Sequence, residues 1–228
     1  MTRTQLATSD DAERWLLRRE LFGMRFGLDR MRRLLTALGS PQEQFRSIHV
    51  VGTNGKSSTV RMTAALVARH GVRAGAYLSP HLVSFRERVR IGDEDLTPAE
   101  FAAAIDRVAH AAEMVDRTLE EGDQVTQFEA LTAAAYDEFA RRGVDIAVVE
   151  AGLGGRWDAT NVIPSEVQVL TNVGLEHTRW LGPTRYPTSR SHCRGVSQSR
   201  GVNPISEAPT ETPRTESATR STPAARAR

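Results

Sequence analysis

One stretch of the chain changes its pattern twice in quick succession. The apolar run Ile48 to Val51 is followed by Gly52-Thr53-Asn54-Gly55-Lys56-Ser57-Ser58, and apolar residues then recur at helical spacing from Val60 to Val67. A short apolar run predicts a buried strand, glycines favour a tight turn, and the later spacing predicts a helix. A strand that leads through such a turn into a helix is typical of α/β proteins with a mainly parallel sheet.

The turn between this strand and this helix has the composition of a phosphate-binding loop. Glycines let backbone N–H groups close on an anion, and the N-terminus of the following helix adds a partial positive charge. In such loops the lysine contacts the outer phosphates and the next hydroxyl is a ligand of Mg²⁺, which assigns these tasks to Lys56 and Ser57. The pattern is imperfect, because Val50 occupies the place of its first glycine.

Lys56 is also the only lysine in the chain, and every other Lys/Arg position is an arginine. A compact ammonium performs tasks at a phosphate that a planar guanidinium does not, so its retention at this position favours nucleotide binding. The alternative is that a lone surface lysine follows Gly55 by chance.

Helical and strand-like patterns alternate along the rest of the chain. This alternation predicts a doubly wound α/β fold with a mainly parallel sheet and right-handed crossovers. We predict helices over 12–21, 28–38, from the glycine turn to about 70, 98–119 and 126–141, strands over 73–78, 144–150 and 167–173, and a strand or extended loop over 83–92.

Charge and composition divide the chain into two parts, 1–184 and 185–228. Ser, Thr, Pro and Arg dominate the second part, and its apolar residues are isolated, so we expect it to be a disordered tail. Its eight arginines and three acidic residues give it a charge of +5 and leave 1–184 with −3. The basic pI near 9.1 therefore belongs to the tail and does not indicate a nucleic-acid-binding domain.

A single cysteine, Cys193, excludes an intrachain disulfide and is typical of a reducing compartment. No apolar stretch approaches the length of a membrane span, and the N-terminus lacks an apolar signal core. We therefore expect a cytoplasmic, monomeric protein with small-molecule ligands and neither a membrane nor a nucleic-acid partner.

Three polar residues follow or end separate predicted strands. They are Ser79, Glu150 and His177. The carboxyl ends of parallel strands meet at one edge of a sheet, so these side chains are expected to lie beside the phosphate loop. A hydroxyl, a carboxylate and an imidazole there are a candidate Mg²⁺ shell, although imidazole is the less usual ligand. Taken singly, each has a plainer interpretation as a turn residue, a solvated strand end or a helix cap.

Five motifs occur in a fixed order between residues 23 and 184. They are Gly52-Thr53-Asn54-Gly55-Lys56-Ser57-Ser58, Ser79-Pro80-His81-Leu82, Phe85-x-Glu87-Arg88-Val89-Arg90, Glu150-Ala151-Gly152-Leu153-Gly154-Gly155-Arg156-x-Asp158-Ala159-Thr160-Asn161, and His177-Thr178-x-Trp180-Leu181-Gly182. In this order they resemble the motifs of bifunctional dihydrofolate synthase/folylpolyglutamate synthases, in the Mur ligase superfamily. The chain would then contain an incomplete Mur-ligase-like central domain.

The resemblance implies an ATP- and Mg²⁺-dependent ligase that joins L-glutamate to dihydropteroate or to folate through an acyl phosphate. It implies catalytic roles for Lys56, Glu150 and His177, and Mg²⁺ ligation by Ser79, Glu150 and His177. The residues that would bind the nucleotide are Thr53, Asn54, Gly55, Lys56, Ser57 and Ser58. Those that would contact the substrate are Phe26, Ser79, His81, Arg88, Thr126, Phe128, Glu129, Trp157, Asp158 and Ala159. For His81 and Arg88, packing and ion pairing of their loop remain an equal alternative.

The chain departs from the family after Gly182-Pro183-Thr184. Family members are roughly twice as long, with a second domain and a lysine-bearing helix soon after this point. We therefore hypothesise that the tail is a truncated or wrong-frame product, which the encoding nucleotide sequence would test; a genuine disordered tail is the alternative. Two other functions stay open: a nucleotide-binding remnant or interaction protein without ligase activity, and a phosphate-loop kinase or GTPase, which has no need of the Ser79 to Leu82 motif.

Overall fold

The computed structural model of the chain describes residues 5–20 and 27–174. The helices are α1 (Ser9–Glu20), α2 (Asp29–Ala37), α3 (Lys56–Arg69), α4 (Pro98–Asp116) and α5 (Gln127–Arg141). The strands are β1 (Arg46–Val51), β2 (Ala74–Tyr77), β3 (Val89–Ile91), β4 (Glu94–Asp95), β5 (Ile146–Glu150) and β6 (Val167–Leu170). Short 3₁₀ helices cover Pro41–Glu43, Phe85–Arg88 and Ala159–Val162.

The described strands form one six-stranded sheet in the order β4-β3-β2-β5-β1-β6. The strands β2, β5, β1 and β6 are parallel, whereas β3 runs antiparallel to both β2 and β4. The register pairs Val50 of β1 with Glu150 of β5 and with Val169 of β6. The predicted α/β class with a mainly parallel sheet is confirmed, and the antiparallel hairpin is an addition to it.

Helices cover both faces of the sheet. On one face α3 packs its buried residues Val60 and Ala64 against Val50, Ala76 and Val148. On the other face the larger core joins α1, α2, α4 and α5 to the sheet, with Tyr136 and Phe139 among its fully buried side chains. Because the aliphatic residues of β5 and β1 are buried on both faces, these strands read as continuous apolar runs in the sequence.

Capping residues set the starts of the two long helices. Thr97 and Glu100 form a capping box at α4, and Thr126 and Glu129 form one at α5. Each box satisfies backbone N–H groups that have no partner within the helix. The predicted Thr97 cap and Pro98 at the first position of α4 are therefore confirmed, although the helix ends at Asp116 instead of residue 119.

The segment predicted as a strand or extended loop over 83–92 is more complex. A 3₁₀ helix begins after Ser84, whose side chain and that of Glu87 form a capping box, and β3 follows directly. The alternating pattern did not predict this turn. Phe85 and Arg88 are both buried, and they lie three residues apart, which is the spacing of a 3₁₀ helix and not of a strand. The predicted strand over 167–173 is also shorter and ends at Leu170.

No helix in residues 5–20 or 27–174 is long and apolar enough to cross a membrane. The predictions for Phe26, His177 and the tail over 185–228 fall outside the described residues.

Candidate functional site

The glycine turn lies at the carboxyl end of β1 and leads straight into α3. Gly52 and Gly55 have φ angles of 138° and 78°, which L-amino acids with a side chain rarely adopt. Gly55 is the N-cap of α3 without a side-chain cap. The first N–H groups of an α-helix have no acceptor within the helix, and in α3 these are the backbone N–H groups of Lys56, Ser57 and Ser58.

The Lys56 side chain folds back over the turn. Its Nζ atom donates hydrogen bonds to the carbonyl oxygens of Gly52 at 2.9 Å and Thr53 at 3.1 Å. The ammonium is therefore held directly above the loop that the sequence predicts to bind phosphate. If an anion binds here, its negatively charged oxygens would replace the two carbonyl oxygens as hydrogen-bond acceptors for the Lys56 ammonium.

Glu150 connects the glycine turn to the neighbouring strand end. Its carboxylate accepts a hydrogen bond from the Ser57 hydroxyl at 2.9 Å and another from the Ser79 backbone N–H at 3.2 Å. The parallel register explains this meeting, because β5 lies between β1 and β2 and all three end at the same edge. Three residues that are far apart in sequence, Ser57, Ser79 and Glu150, thus form one polar cluster.

Burial raises the pKa of Glu150 above its ordinary value. The hydrogen bonds from Ser57 and Ser79 and the positive charges of Lys56 and Arg61 act in the opposite direction. A divalent cation beside this carboxylate would compensate for its desolvation and favour the charged form.

The donor set fits Mg²⁺, which commonly takes one or two carboxylates and completes its shell with water and substrate phosphates. Glu150 and the hydroxyl of Ser57 supply hard oxygen donors at this point, and Ser79 lies beside them. Within the described ranges no three His, Cys, Asp or Glu side chains form a metal cluster. A cation here would therefore depend on one carboxylate, serine oxygens and the phosphates of a bound nucleotide.

The loop after Ser79 is stabilised by its own side chains. The Glu87 carboxylate accepts hydrogen bonds from the backbone N–H groups of Leu82, Val83 and Ser84 at 2.8–3.0 Å. These bonds lower the pKa of Glu87. Leu82 and Val83 are consequently presented to solvent, with 91% and 89% of their surface exposed.

His81 and Arg88 contact each other within this loop. The Arg88 Nε atom donates to His81 Nδ1 at 3.0 Å. The His81 ring lies 4.3 Å from the Phe85 ring, and the Arg88 guanidinium carbon lies 5.4 Å from it. These contacts support the packing interpretation for both residues and leave substrate contact as a prediction.

A second group of predicted substrate residues meets between α5 and β5. Phe128 packs so closely on Gly152 that a Cβ atom at residue 152 would lie 2.6 Å from the ring, and that Cβ would lie 3.2 Å from Asp158 Oδ2. The Phe128 ring centroid is also 6.3 Å from that of Tyr77. Burial raises the pKa of Tyr77 to about 12, which keeps this hydroxyl neutral.

Asp158 organises the loop that follows β5. One carboxylate oxygen accepts from the Leu153 N–H at 2.7 Å, and the other accepts from the Thr160 N–H at 3.0 Å and from its hydroxyl at 2.5 Å. The side chain is buried, and this burial raises its pKa. The structure therefore gives Asp158 a loop-holding role, and contact with a substrate stays a prediction.

The same network continues to β1 through a residue that sequence reasoning missed. His49 Nε2 and Thr160 Oγ1 are 2.8 Å apart, and both residues are fully buried. Since the only hydroxyl proton of Thr160 goes to Asp158, the imidazole Nε2–H is the donor. Burial lowers the pKa of His49 to about 4, so the ring is neutral near pH 7. A histidine within an otherwise apolar strand was the available signal.

Thr126 and Glu129 serve the N-terminus of α5. The Glu129 Oε2 atom accepts from the backbone N–H and hydroxyl of Thr126 at 2.8 and 2.9 Å. It also accepts from Arg30 Nε of α2 at 3.2 Å. Glu129 is buried, so its observed partners belong to the fold, and the predicted pterin contact remains a prediction.

Trp157 and Ala159 flank Asp158 in different environments. Ala159 is buried at the start of a 3₁₀ helix, whereas 47% of the Trp157 surface is exposed. The Arg156 guanidinium carbon lies 4.6 Å from the Trp157 ring centroid. Trp157 is thus half-exposed next to the loop held by Asp158, with Arg156 over its ring.

Residues after β6 also contact the glycine turn, and the sequence analysis did not single them out. Thr171 and Asn172 form hydrogen bonds with the backbone of Asn54, and Gly174 forms one with Thr53. They follow a strand that ends at the same sheet edge as Ser79 and Glu150. This position at the carboxyl end of a predicted strand is the signal from which the sequence could have identified them.

Curated relatives match most of the chain. A dihydrofolate synthase/folylpolyglutamate synthase of Bacillus subtilis is 38% identical over 175 residues, which is 76% of this chain and 40% of that protein. One from Mycobacterium tuberculosis is 42% identical over 160 residues, or 68% of this chain and 33% of that protein. This chain therefore spans well under half the length of these relatives. No protein-family model matches it.

Solved structures give the same result. Mycobacterium tuberculosis folylpolyglutamate synthase complexed with ADP superposes with a TM-score of 0.79 at 36% identity, covering 86% of this chain and 43% of that one. A bifunctional folylpolyglutamate synthase/dihydrofolate synthase with Mn, AMPPNP and L-glutamate bound has a TM-score of 0.74 at 31% identity, covering 85% and 45%. The chain is therefore a relative of the dihydrofolate synthase/folylpolyglutamate synthase family, which its sequence motifs indicate, and it matches the N-terminal part of that family's members.

Proposed function

We propose that this chain carries the nucleotide- and folate-binding part of an ATP-dependent ligase that joins L-glutamate to dihydropteroate or to folate. The observation that carries the proposal is the cluster of Ser57, Ser79 and Glu150 beside the glycine turn and Lys56. The relatives named above support it, since they are synthases of this type and one of them binds ADP.

The turn and the start of α3 supply the groups that a triphosphate needs. Backbone N–H groups at Lys56, Ser57 and Ser58 point along the helix axis toward the anion, and the helix dipole favours negative charge there. The Lys56 ammonium, now bonded to two carbonyl oxygens of the turn, would move onto the outer phosphates. These interactions neutralise charge on the nucleotide without a covalent role for the protein.

Glu150 and Ser57, with Ser79 beside them, would hold Mg²⁺, and Glu150 is the charged member of this set. When bound, Mg²⁺ would screen the negative charge of the phosphates that repels an approaching carboxylate. The two hydrogen bonds that Glu150 accepts orient its carboxylate and favour the ionised form, in opposition to the effect of burial on its pKa.

The proposed chemistry consists of two displacements. A carboxylate oxygen of the folate substrate attacks the γ-phosphorus of ATP, the bond to the bridging oxygen breaks, and ADP leaves. The amine of L-glutamate then attacks the acyl carbon, inorganic phosphate leaves with the former carboxylate oxygen, and the amine loses a proton as the amide forms. Positioning and charge neutralisation dominate the rate of such reactions.

The pterin-bearing substrate would lie beside Phe128, Asp158 and the half-exposed Trp157. Gly152 allows this arrangement, because any side chain at that position would collide with the Phe128 ring. An aromatic ring packs well on such a surface, and the polar network around Asp158 holds the surrounding loop in one conformation.

Two measurements on the purified chain test the proposal. Isothermal titration with ADP and Mg²⁺ measures nucleotide binding, and phosphate release with ATP, Mg²⁺, dihydropteroate and L-glutamate measures turnover. We expect Lys56→Ala to weaken nucleotide binding strongly, whereas Arg69→Ala, at the opposite end of α3, leaves it unchanged.

Phosphate release that does not depend on dihydropteroate, or that is equal in the chain and in Lys56→Ala, would contradict the ligase proposal. Nucleotide binding without phosphate release would instead support the nucleotide-binding remnant.

A further inference from the structure

We propose that Asn172, with Thr171, acts as a clasp that holds the glycine turn in its nucleotide-binding conformation. This clasp comprises the segment 171–174, which follows β6 and runs along the turn. Asn172 is a positioning residue in this proposal, because it contacts the turn and not the reacting atoms. The inference rests on the proposed function, since it concerns the same nucleotide site.

The Asn172 side chain pairs with both polar groups of the Asn54 backbone. Asn54 N–H donates to Asn172 Oδ1 at 3.0 Å, and Asn172 Nδ2 donates to the Asn54 carbonyl oxygen at 3.3 Å. The main chain of Asn172 adds a third bond, because its carbonyl oxygen accepts from Thr53 N–H at 3.0 Å. One residue thus fixes the orientation of three successive peptide units in the turn.

Neighbours of Asn172 reinforce this grip. The Thr171 hydroxyl donates to the Asn54 carbonyl oxygen at 2.7 Å, and Gly174 N–H donates to Thr53 Oγ1 at 2.9 Å. Space at the turn is tight, since a Cβ atom on Gly52 would lie 2.1 Å from Thr171 Oγ1 and 3.0 Å from the Asn172 carbonyl oxygen. Gly52 is therefore needed for the clasp to close on the turn.

The clasp divides the donors of the turn into two sets. The N–H groups of Thr53 and Asn54 are used within the protein, whereas those at the start of α3 have no intrahelical acceptor. Phosphate would therefore be bound mainly from Gly55 onward, with the earlier peptides held out of the way. A glycine-containing turn has many alternative conformations, and the clasp reduces their number before the ligand arrives.

Amide hydrogen exchange on the nucleotide-free chain, read by NMR, tests the clasp directly. We expect the amide proton of Asn54, whose acceptor is the Asn172 side chain, to be protected in the wild-type chain and to exchange at least about tenfold faster in Asn172→Ala. The amide proton of Thr53 is bonded to the main-chain carbonyl oxygen of residue 172 and should keep more of its protection. The control is Glu166→Ala, immediately before β6, which breaks an exposed ion pair with Arg46 and leaves the turn untouched. Equal exchange in the wild-type chain and in Asn172→Ala would overturn the clasp.

Titration with ADP and Mg²⁺ then tests whether the clasp contributes to nucleotide affinity. If the turn is in the binding conformation for only about a tenth of the time without the clasp, the dissociation constant rises about tenfold in Asn172→Ala. An unchanged constant in a variant that has lost its amide protection would overturn the positioning role.

The two proposals fail in different ways. A wild-type chain with protected amides that binds no ADP would refute the proposed function and leave the clasp in place. If circular dichroism shows that Asn172→Ala is unfolded, Thr171→Val provides the same two tests, because it removes the hydroxyl bonds of Thr171 to the carbonyl oxygens of Asn54 and Val51 and leaves Asn172 in place. Unchanged exchange and affinity in this variant would then overturn the inference.

Discussion

Replacing Thr160 by valine tests the buried network that joins β1 to the loop after β5. The Thr160 side chain is fully buried, and its hydroxyl accepts from His49 Nε2 at 2.8 Å and donates to Asp158 Oδ1 at 2.5 Å. Valine has nearly the same shape without the hydroxyl. The substitution therefore removes both bonds without opening a large cavity.

The expected cost follows from the partners that lose a bond. The neutral bond to His49 contributes about 1 kcal/mol and the bond to the Asp158 carboxylate about 2 kcal/mol, so we expect a loss of about 3 kcal/mol in the free energy of unfolding. His49 cannot replace the lost hydrogen bond through its other ring nitrogen, because its Nδ1 atom has no hydrogen-bond partner among the described residues.

Urea unfolding followed by circular dichroism measures this loss. The matched control is Thr36→Val on the exposed side of α2, where the hydroxyl donates to the Arg32 carbonyl oxygen, and we expect a change within about 0.5 kcal/mol. The denaturant slope should be the same in all three proteins, because the buried area hardly changes. A difference below about 1 kcal/mol between the two variants would refute the role given to the network.

Three further predictions concern the interior and the substrate site. The pKa of His49 is about 4 in the folded chain and 6.5 in an unfolded one. Its contribution to stability is therefore complete above pH 6.5 and falls by about 3 kcal/mol on acidification to pH 4. The difference in unfolding free energy between the wild-type chain and His49→Asn should shrink by this amount over the same pH range. Gly75→Ala would place a Cβ atom 2.7 Å from the Phe139 ring and should cost about 1–3 kcal/mol in urea unfolding. Gly152→Ala should displace Phe128 and weaken binding of a folate substrate more than binding of ADP, as measured by titration of each ligand; equal losses would argue against the placement of the pterin.

Much of the fold followed from local patterns in the sequence. Alternating helices and strands predicted the α/β class, and the Thr97-Pro98 start of α4 was identified from its capping signal. The boundaries that moved lie where tertiary packing decides, as at residues 85–88, where a capping box formed by Ser84 and Glu87 replaces an expected extended segment. The antiparallel β3 and β4 pair was not predicted, because short strands carry little periodicity.

The candidate site was predicted unevenly. Ser79, Glu150 and His177 were expected beside the phosphate loop because they follow or end separate strands. The structure places the Glu150 carboxylate within hydrogen-bond distance of the Ser57 hydroxyl and of the Ser79 backbone N–H, whereas His177 lies outside the described residues. His49 and Asn172 were missed. Neither belongs to a chemical motif, and their importance depends on partners more than a hundred positions away along the chain.

The sequence alone determined which local structures form and which residues can carry chemistry, because turn glycines, caps and apolar spacing act over a few neighbouring residues. Only the tertiary structure decided that the carboxylates of Asp158 and Glu129 accept hydrogen bonds from neighbouring loops and helices, and that Asn172 forms hydrogen bonds with the glycine turn. The physical reason is the strand order, in which β1 lies between β5 and β6. That order brings the segments after three separate strands to one edge, and hydrogen bonds between such segments cannot be read from spacing along the chain.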